Sequence, residues 1–340
     1  MCVALSATGD TLFVLDQMER QVKAFTRDGR YLYRFGGRGK GPGEFEDPNA
    51  ITAVPWNGGV AVWDSTQQRI TVLTATGEVL HTAEPLRQSD IARQGKRLRA
   101  AAGGFVLETR SDPYTTRPAL QRGYLMRLDT VGQSRDTLVD YAIPPVEGST
   151  VQGSVGLIST MAITAPTFTP EPRWALAPDG EVAFVPGGRY ELFRLVDGAH
   201  ARVRVSRPWT PGRIRRRDRV RNIQAAVDRG EFSRRVPVFV MELAQRKFFA
   251  RVRPALAGVL VDDRGRTWVQ RFDVMDEPSG RSRTWDAYDP DGAPVASVSF
   301  PAGFVPLVIR DGVVYGTRRD ELDVDRLEAY RLGGDVGAEP

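Results

Sequence analysis

Hydrophobic and polar positions alternate along short segments of this chain. Val, Leu, Ile and aromatic residues fill the alternating positions of segments such as 11–16, 21–25 and 30–35, and pairs such as Asp28-Gly29 separate the segments. Short alternating runs with these residues favour β-strands, and a glycine that adopts positive φ favours a tight hairpin between them. The pattern therefore predicts antiparallel sheets of about four strands.

The predicted sheet recurs along the chain. Gly9 and Gly58 are 49 residues apart, and Gly29 and Gly77 are 48 residues apart, in equivalent positions of two successive units. Four looser copies keep the order of strands and turns, and they contain the segments 103–128, 174–195, 260–292 and 305–332. Units of this kind bury both faces of their sheets by stacking around an axis. We therefore predict one all-β domain over residues 1–340, a six-bladed β-propeller.

Two segments, 143–172 and 207–252, interrupt the period and are predicted insertions. In the second, Ile214, Val220, Ile223 and Val227 follow a nearly helical spacing. Gly230 is a plausible stop, and residues 237–249 could form a second helix. This pattern predicts a helical insertion between blades 4 and 5 that lies on the propeller as a lid.

Two motifs carry a family resemblance. Residues 35–48 (FGGRGKGPGEFEDP) and 64–70 (DSTQQRI) resemble the blade linker and the Asp-to-Arg-Ile segment of NHL-repeat propellers. The resemblance is firm over residues 3–82 and looser beyond them. It implies a six-bladed propeller of the bacterial type that has no assigned activity. The glycine-rich part, 36–43, lacks the spacing of a phosphate-binding loop, so we interpret it as a turn between blades.

Positive charge is concentrated in one segment. The formal net charge is +5, yet residues 207–253 hold fourteen Lys or Arg residues against four acidic ones. An arginine-rich helix can grip nucleic acid, but no aromatic series is interleaved here, so we do not expect nucleic acid as a partner. The alternatives are a solvated helix face docked on an acidic rim, or a lid above an anionic ligand.

Few residues are available for catalysis or metal chemistry. The chain has one cysteine, Cys2, and two histidines, His81 and His200, which are far apart in sequence. We therefore predict no cofactor and no Ser-His pair, and only an oxygen-ligand metal such as calcium is compatible with this composition. Most aspartates, Asp64 among them, lie at predicted hairpins, where their side chains accept backbone hydrogen bonds. A gluconolactonase-like Glu, Asn and Asp set cannot be placed.

The innermost strand of each blade lines a propeller channel, and this suggests a set of binding residues. The predicted register places five residues near one channel mouth: Asn49, Arg97, Arg99, Arg173 and Trp174. Three arginines of the predicted lid complete the set: Arg215, Arg216 and Arg217. Such a group suits an anion or a sugar. We therefore predict a non-enzymatic, monomeric scaffold that binds a protein or a small anionic ligand at the channel mouth. The alternative is a calcium-dependent hydrolase or lactonase with its site in the channel.

The two ends of the chain raise a question of location. No apolar run reaches the length of a membrane-spanning helix, and the first residues do not form a signal peptide, so the chain as written is cytoplasmic. The sixth unit shows only three strands before the polar tail 333–340. This imbalance suggests a closing strand upstream of Val3, and a periplasmic or secreted protein if a secretion signal precedes that strand.

Overall fold

Six antiparallel sheets surround a central axis. The computed structural model describes residues 2–86, 93–101, 103–111, 121–143, 148–150, 161–163, 166–197, 200–228, 249–275, 281–320 and 324–333. In these residues, blades 1 to 5 have four strands each and blade 6 has three. Neighbouring strands in each blade are also neighbours in sequence. The predicted six-bladed β-propeller is confirmed.

The strand bounds follow the period seen in the sequence. In blades 1 to 3 the strands are β1 (Cys2–Leu5), β2 (Thr11–Asp16), β3 (Gln21–Thr26), β4 (Tyr31–Gly36), β5 (Pro48–Val54), β6 (Gly59–Asp64), β7 (Arg69–Leu73), β8 (Val79–Ala83), β9 (Arg93–Ala101), β10 (Gly104–Ser111), β11 (Arg122–Leu128) and β12 (Ser134–Ala142). A separate hairpin follows, β13 (Gly148–Thr150) and β14 (Met161–Ile163). It lies inside the first predicted insertion.

The second half of the ring continues in the same order. Its strands are β15 (Arg173–Leu176), β16 (Val182–Val185), β17 (Glu191–Asp197), β18 (His200–Ser206), β19 (Leu256–Val261), β20 (Thr267–Phe272), β21 (Arg281–Tyr288), β22 (Pro294–Ser299), β23 (Val305–Arg310), β24 (Val313–Arg319) and β25 (Asp325–Arg331). Helix α1 (Arg216–Asp228) lies between blades 4 and 5, outside the blade sheets, as predicted.

The predicted helical insertion is confirmed for α1, with one correction to its start. Ile214 precedes the helix instead of belonging to it, although its side chain is buried beside Ile223 and Val227. These residues pack against an apolar cluster that includes Phe168 and Phe272, so apolar contacts hold the helix. The predicted second helix lies outside the described residues except for Phe249, which forms a β-bridge with Thr167.

Each pair of neighbouring blades shares a hydrophobic core. Trp63, for example, is fully buried between blades 2 and 3, and Trp268 is fully buried between blades 5 and 6. The core between blades 6 and 1 is the smallest, with Leu5, Leu12 and Tyr315 as its buried members. The innermost strands contact each other around the ring, and β1 contacts β23. The ring is therefore closed.

Polar contacts reinforce the junction of blades 6 and 1. The Arg310 guanidinium donates to the carbonyl oxygens of Ser6 and Ala7 at 2.9 and 2.6 Å. It lies against Gly9, whose φ of +79° closes the first turn and where a Cβ would lie 3.1 Å from Arg310 Nε. Arg27 Nε donates to the Tyr315 hydroxyl at 2.9 Å. Side chains of the two blades thus join the ends of the ring.

The expected three strands of blade 6 are present in the described residues. Residues Cys2–Leu5 pair with β2 in blade 1, so they do not supply a fourth strand to blade 6. Most of the tail, residues 334–340, lies outside the described residues.

We expect Arg310→Ala to lower the free energy of unfolding by about 2 kcal/mol, because two backbone carbonyl oxygens lose a charged donor. Chemical denaturation measures the loss. Arg326→Ala is the matched control in the same blade, since Arg326 is exposed and pairs with Asp320 at the surface. That control should change stability by less than about 0.5 kcal/mol. An equal loss in both variants would contradict the role assigned to Arg310.

Candidate functional site

The central channel has two mouths that differ in their linings. At the helix mouth the innermost strands begin, and the residues that pack against α1, such as Phe168 and Phe272, border a cavity. At the Arg99 mouth the innermost strands end. The sequence-predicted binding residues are distributed over several places: the two mouths, the wall between blades 3 and 4, the start of β5 and the outer face of α1.

The Arg99 mouth holds a cavity of about 420 Å³. All six blades contribute to it, through the ends of their innermost strands and the turns that follow. The lining is mostly apolar, with Leu5, Ala53 and Leu307 among its residues. Its charged members are Arg99, Arg310, Asp262 and Asp263. A mostly apolar cavity of this volume with few polar groups has the character of a small-molecule site.

Three of the four charged residues at this mouth have structural partners. Arg310 is held by blade 1, as described above. Asp262 is buried and accepts hydrogen bonds from Arg266 Nε at 2.7 Å and Trp268 Nε1 at 3.0 Å. Asp263 accepts the backbone N–H of Asp311 at 2.9 Å, which joins blade 5 to blade 6. Their polar groups are therefore engaged in holding the fold.

Arg99 differs from them. One of its terminal nitrogens donates to the Leu98 carbonyl at 3.0 Å, and in the described part of the chain no carboxylate forms an ion pair with it. The side chain is exposed to the solvent of the channel, with protein on several sides of it. This surrounding protein lowers the pKa of Arg99, and the positive charge of Arg97 lowers it further. Arg99 thus presents an unpaired positive charge to the cavity.

Arg97 and Trp174 meet at a buried carboxylate that sequence reasoning missed. Glu108 on β10 is 1% exposed and lies between blades 3 and 4. It accepts hydrogen bonds from Tyr141 Oη at 2.7 Å, Trp174 Nε1 at 2.9 Å and Arg110 Nε at 3.0 Å. Arg97 Nε lies 3.7 Å from Glu108 Oε2. A glutamate within the apolar run of a predicted strand was the available signal.

The charges around Glu108 decide its ionisation. Burial raises the pKa of this carboxyl, but Arg97 and Arg110 and the two neutral donors outweigh it, so the net pKa is lowered. Burial and the nearby negative charge raise the pKa of Tyr141. Glu108 is therefore a carboxylate that holds Arg97, Arg110, Tyr141 and Trp174 together. Trp174 is a buried donor in this cluster. The sequence analysis placed it at the channel mouth, but it lines neither of the cavities there.

Arg173 lies at the helix mouth. It lines the cavity of about 260 Å³ there, together with Thr167, Thr169 and Arg281, and pairs with Glu171 at 2.9 Å. Burial lowers the pKa of Arg173, and Glu171 offsets part of that effect. Arg173 and Arg99 therefore line different cavities, contrary to the prediction of one shared mouth.

Asn49 is the second residue of β5. Its backbone oxygen accepts the Cys2 thiol at 3.3 Å, and its side-chain oxygen is buried with no partner in the described residues. The residue lines neither of the two channel cavities. Asn49 lies near the start of β5, whereas the residues of this strand that line the Arg99 mouth begin at Ile51.

The three lid arginines surround the first turn of α1. Arg216 and Arg217 are exposed, and the backbone N–H of Arg215 donates to Asp218 Oδ2 at 2.9 Å. Asp218 is fully buried and also pairs with Arg253 at 2.7 Å. Asp218 therefore caps the helix and fastens it to the segment before blade 5, while the arginine side chains form its outer face.

Two further predictions concern turns. Asp64 is fully buried and accepts the backbone N–H groups of Glu46, Asp47, Thr66 and Gln67, as expected for turn chemistry. In the glycine-rich segment 36–43, the Glu44 carboxylate accepts the N–H of Gly41 at 2.9 Å. The protein's own carboxylate thus fills the turn.

The described residues contain neither a metal-binding cluster nor a membrane-spanning helix. Within them, no three His, Cys, Asp or Glu side chains gather closely enough to hold a metal ion. In the same ranges, no helix has both the length and the apolar character needed to cross a membrane.

Comparison with solved structures gives distant matches. Virginiamycin B lyase from Staphylococcus aureus is 11% identical, with a TM-score of 0.45, and the match covers 98% of this chain and 85% of that one. The calcium-binding protein regucalcin from Agrobacterium tumefaciens is 13% identical, with a TM-score of 0.44, over 94% and 82%. A gluconolactonase from Xanthomonas campestris is 16% identical, with a TM-score of 0.43, over 93% and 82%.

Comparison at the level of sequence is more restricted. No curated protein matches the chain significantly. A family model described as a 6-bladed beta-propeller matches residues 3–90, which contain blades 1 and 2 and the motifs noted in the sequence. The chain is a six-bladed β-propeller whose first two blades match this family model.

Proposed function

We propose that this protein is a non-enzymatic binding protein that takes a small anionic ligand at the Arg99 mouth of its channel. The observation that supports this most is the unpaired guanidinium of Arg99 in a mostly apolar cavity. The predicted protein partner is less well supported, because a cavity of about 420 Å³ holds a small molecule within its walls.

The ligand's anionic group would pair with Arg99 inside the channel. A guanidinium that lines a mostly apolar cavity interacts with an anion more strongly than one in bulk water, because the effective dielectric is lower. The apolar ends of β1, β5 and β23 would contact the remainder of the ligand. A carboxylate or sulfonate on an apolar body fits this lining.

Asp263 adds a constraint on ligand charge. Its side chain is exposed at the same mouth, on blade 5, whereas Arg99 belongs to blade 3. A second negative group on the ligand would meet this carboxylate. We therefore expect monoanions, or ligands with an additional positive group, to bind more tightly than dianions.

Arg99→Gln is expected to weaken binding of a small carboxylate by about 10- to 100-fold, because hydrogen bonds to charged groups contribute roughly 1.5–3 kcal/mol. A panel of aliphatic and aromatic carboxylates, screened by thermal shift and measured by calorimetry, supplies the ligands. The corresponding amides are uncharged controls. Arg34→Gln is the matched variant, since Arg34 is exposed on the outermost strand of blade 1. The proposal would be refuted if no carboxylate of the panel stabilised the wild type or Arg34→Gln. It would also be refuted if the carboxylates bound Arg99→Gln as tightly as the wild type.

Divalent metal ions are expected to leave the melting temperature unchanged. The buried carboxylate at the Arg99 mouth, Asp262, already accepts hydrogen bonds from Arg266, Trp268 and two backbone N–H groups. Thermal melting with calcium, magnesium or manganese, against sodium chloride of equal ionic strength, measures this. A rise that grows with metal concentration would instead favour the alternative, a metal-dependent hydrolase or lactonase.

A further inference from the structure

A second cavity lies away from the Arg99 mouth, between blades 4 and 5. Its volume is about 670 Å³, and it is bordered by the chain that leaves blade 4, the chain that enters blade 5 and the outer part of blade 5. The charged residues that line it are Arg207, Arg253, Arg271, Arg283 and Asp273. Positive charge therefore predominates in this cleft.

Arg207 is held in place without using its hydrogen-bond donors. Its guanidinium carbon lies 5.2 Å from the ring centres of both Tyr190 and Tyr288. Its nearest carboxylate oxygen, on Asp286, is 3.7 Å away, which is beyond hydrogen-bond distance. Within the described residues, the Arg207 side chain makes no hydrogen bond, and it is 39% exposed. The five N–H donors of this planar group thus form no hydrogen bond to the described residues and are available to a ligand.

Asp286 is already engaged by another arginine. Arg271 binds it through two hydrogen bonds, at 2.8 and 2.6 Å, and the Tyr190 hydroxyl donates to it as well. The Asp286 carboxylate forms hydrogen bonds with Arg271 but not with Arg207, so it neutralises mainly Arg271 and leaves the charge of Arg207 largely available. The tyrosine rings and Asp286 orient Arg207 but do not consume its donors.

Two residues that line the cleft each have a buried donor with no acceptor. Trp209 Nε1 and Arg253 Nε are both buried atoms without a hydrogen-bond partner in the described residues. An unmade hydrogen bond of a buried donor is costly. The groups without partners on Arg207, Trp209 and Arg253 are all donors, so their missing partner is an acceptor. Positive charge combined with unpaired donors is the character of an oxyanion site.

We propose that the cleft between blades 4 and 5 binds the phosphate or sulfate group of a small molecule, with Arg207 as its charged anchor and Trp209 Nε1 as a second donor. Arg253 connects this cleft to the lid, since its terminal nitrogen pairs with the buried Asp218 of α1. This site is separate from the Arg99 mouth and does not depend on the function proposed for that mouth.

The test uses inorganic phosphate and inorganic sulfate as probes, with the full chain. Thermal melting and calorimetry compare each anion with sodium chloride at equal ionic strength. We expect both anions to stabilise the wild type and Arg207→Gln to lose the response. Trp209→Phe should weaken binding roughly tenfold, because it removes one hydrogen bond to a charged group and keeps an aromatic ring.

The matched control is Arg204→Gln. Arg204 also lies over an aromatic ring, 5.6 Å from the centre of Phe193, and it pairs with Glu191 at 2.9 Å, but it does not line the cleft. This variant should respond like the wild type. Thermal melting in chloride alone identifies any variant that fails to fold. If Arg207→Gln fails to fold, the response of Trp209→Phe still decides the test.

Two outcomes would overturn the inference. One is stabilisation by phosphate and sulfate that does not exceed that by chloride; the other is an equal response in Arg207→Gln and the wild type. Arg99→Gln separates the two sites, because it should keep the phosphate response while losing carboxylate binding at the channel. Loss of the phosphate response in Arg99→Gln alone would place the anion in the channel and refute the cleft site.

Discussion

Closure between blades 6 and 1 is the constraint on which the rest of the propeller depends. A ring of six blades leaves both faces of every sheet covered only if the last blade packs against the first. Here that junction has the smallest apolar core, and Arg310 and Arg27 add hydrogen bonds from side chains of one blade to atoms of the other. The cavity at the Arg99 mouth includes residues on both sides of this junction, so its shape depends on closure as well.

The other junctions show how polar groups are accommodated in such a ring. Glu108 between blades 3 and 4 and Asp286 between blades 4 and 5 are each surrounded by arginine and tyrosine donors. Isolated buried carboxylates would be strongly unfavourable, and removal of one partner would leave a charge uncompensated. Each network therefore fixes the relative position of two blades. The same fixation orients Arg97 beside Glu108 and Arg207 at the cleft.

The fold followed from the sequence, while much of the candidate site did not. The 49-residue period and the turn glycines predicted blades, and the interrupted period predicted α1. The binding residues required a strand register, and β9 contains a bulge, because Glu108 pairs with Arg97 whereas the adjacent Thr109 pairs with Gly95. A bulge interrupts the alternation on which such assignments depend. Glu108 meets Trp174 across two blades, 66 residues apart, and no local pattern signals that contact.

Arg97 and Arg99, two residues apart on one strand, have different electrostatic surroundings. Arg97 lies beside a carboxylate, whereas Arg99 has no such partner in the described residues. The positive potential of this strand is therefore strongest toward one end of the channel. Fields of this kind raise the rate at which oppositely charged solutes encounter a site, and they are screened over about 10 Å at 0.1 M salt. If the proposed anion site at the Arg99 mouth is correct, the capture rate there should therefore depend on ionic strength even where the bound state is shielded from solvent.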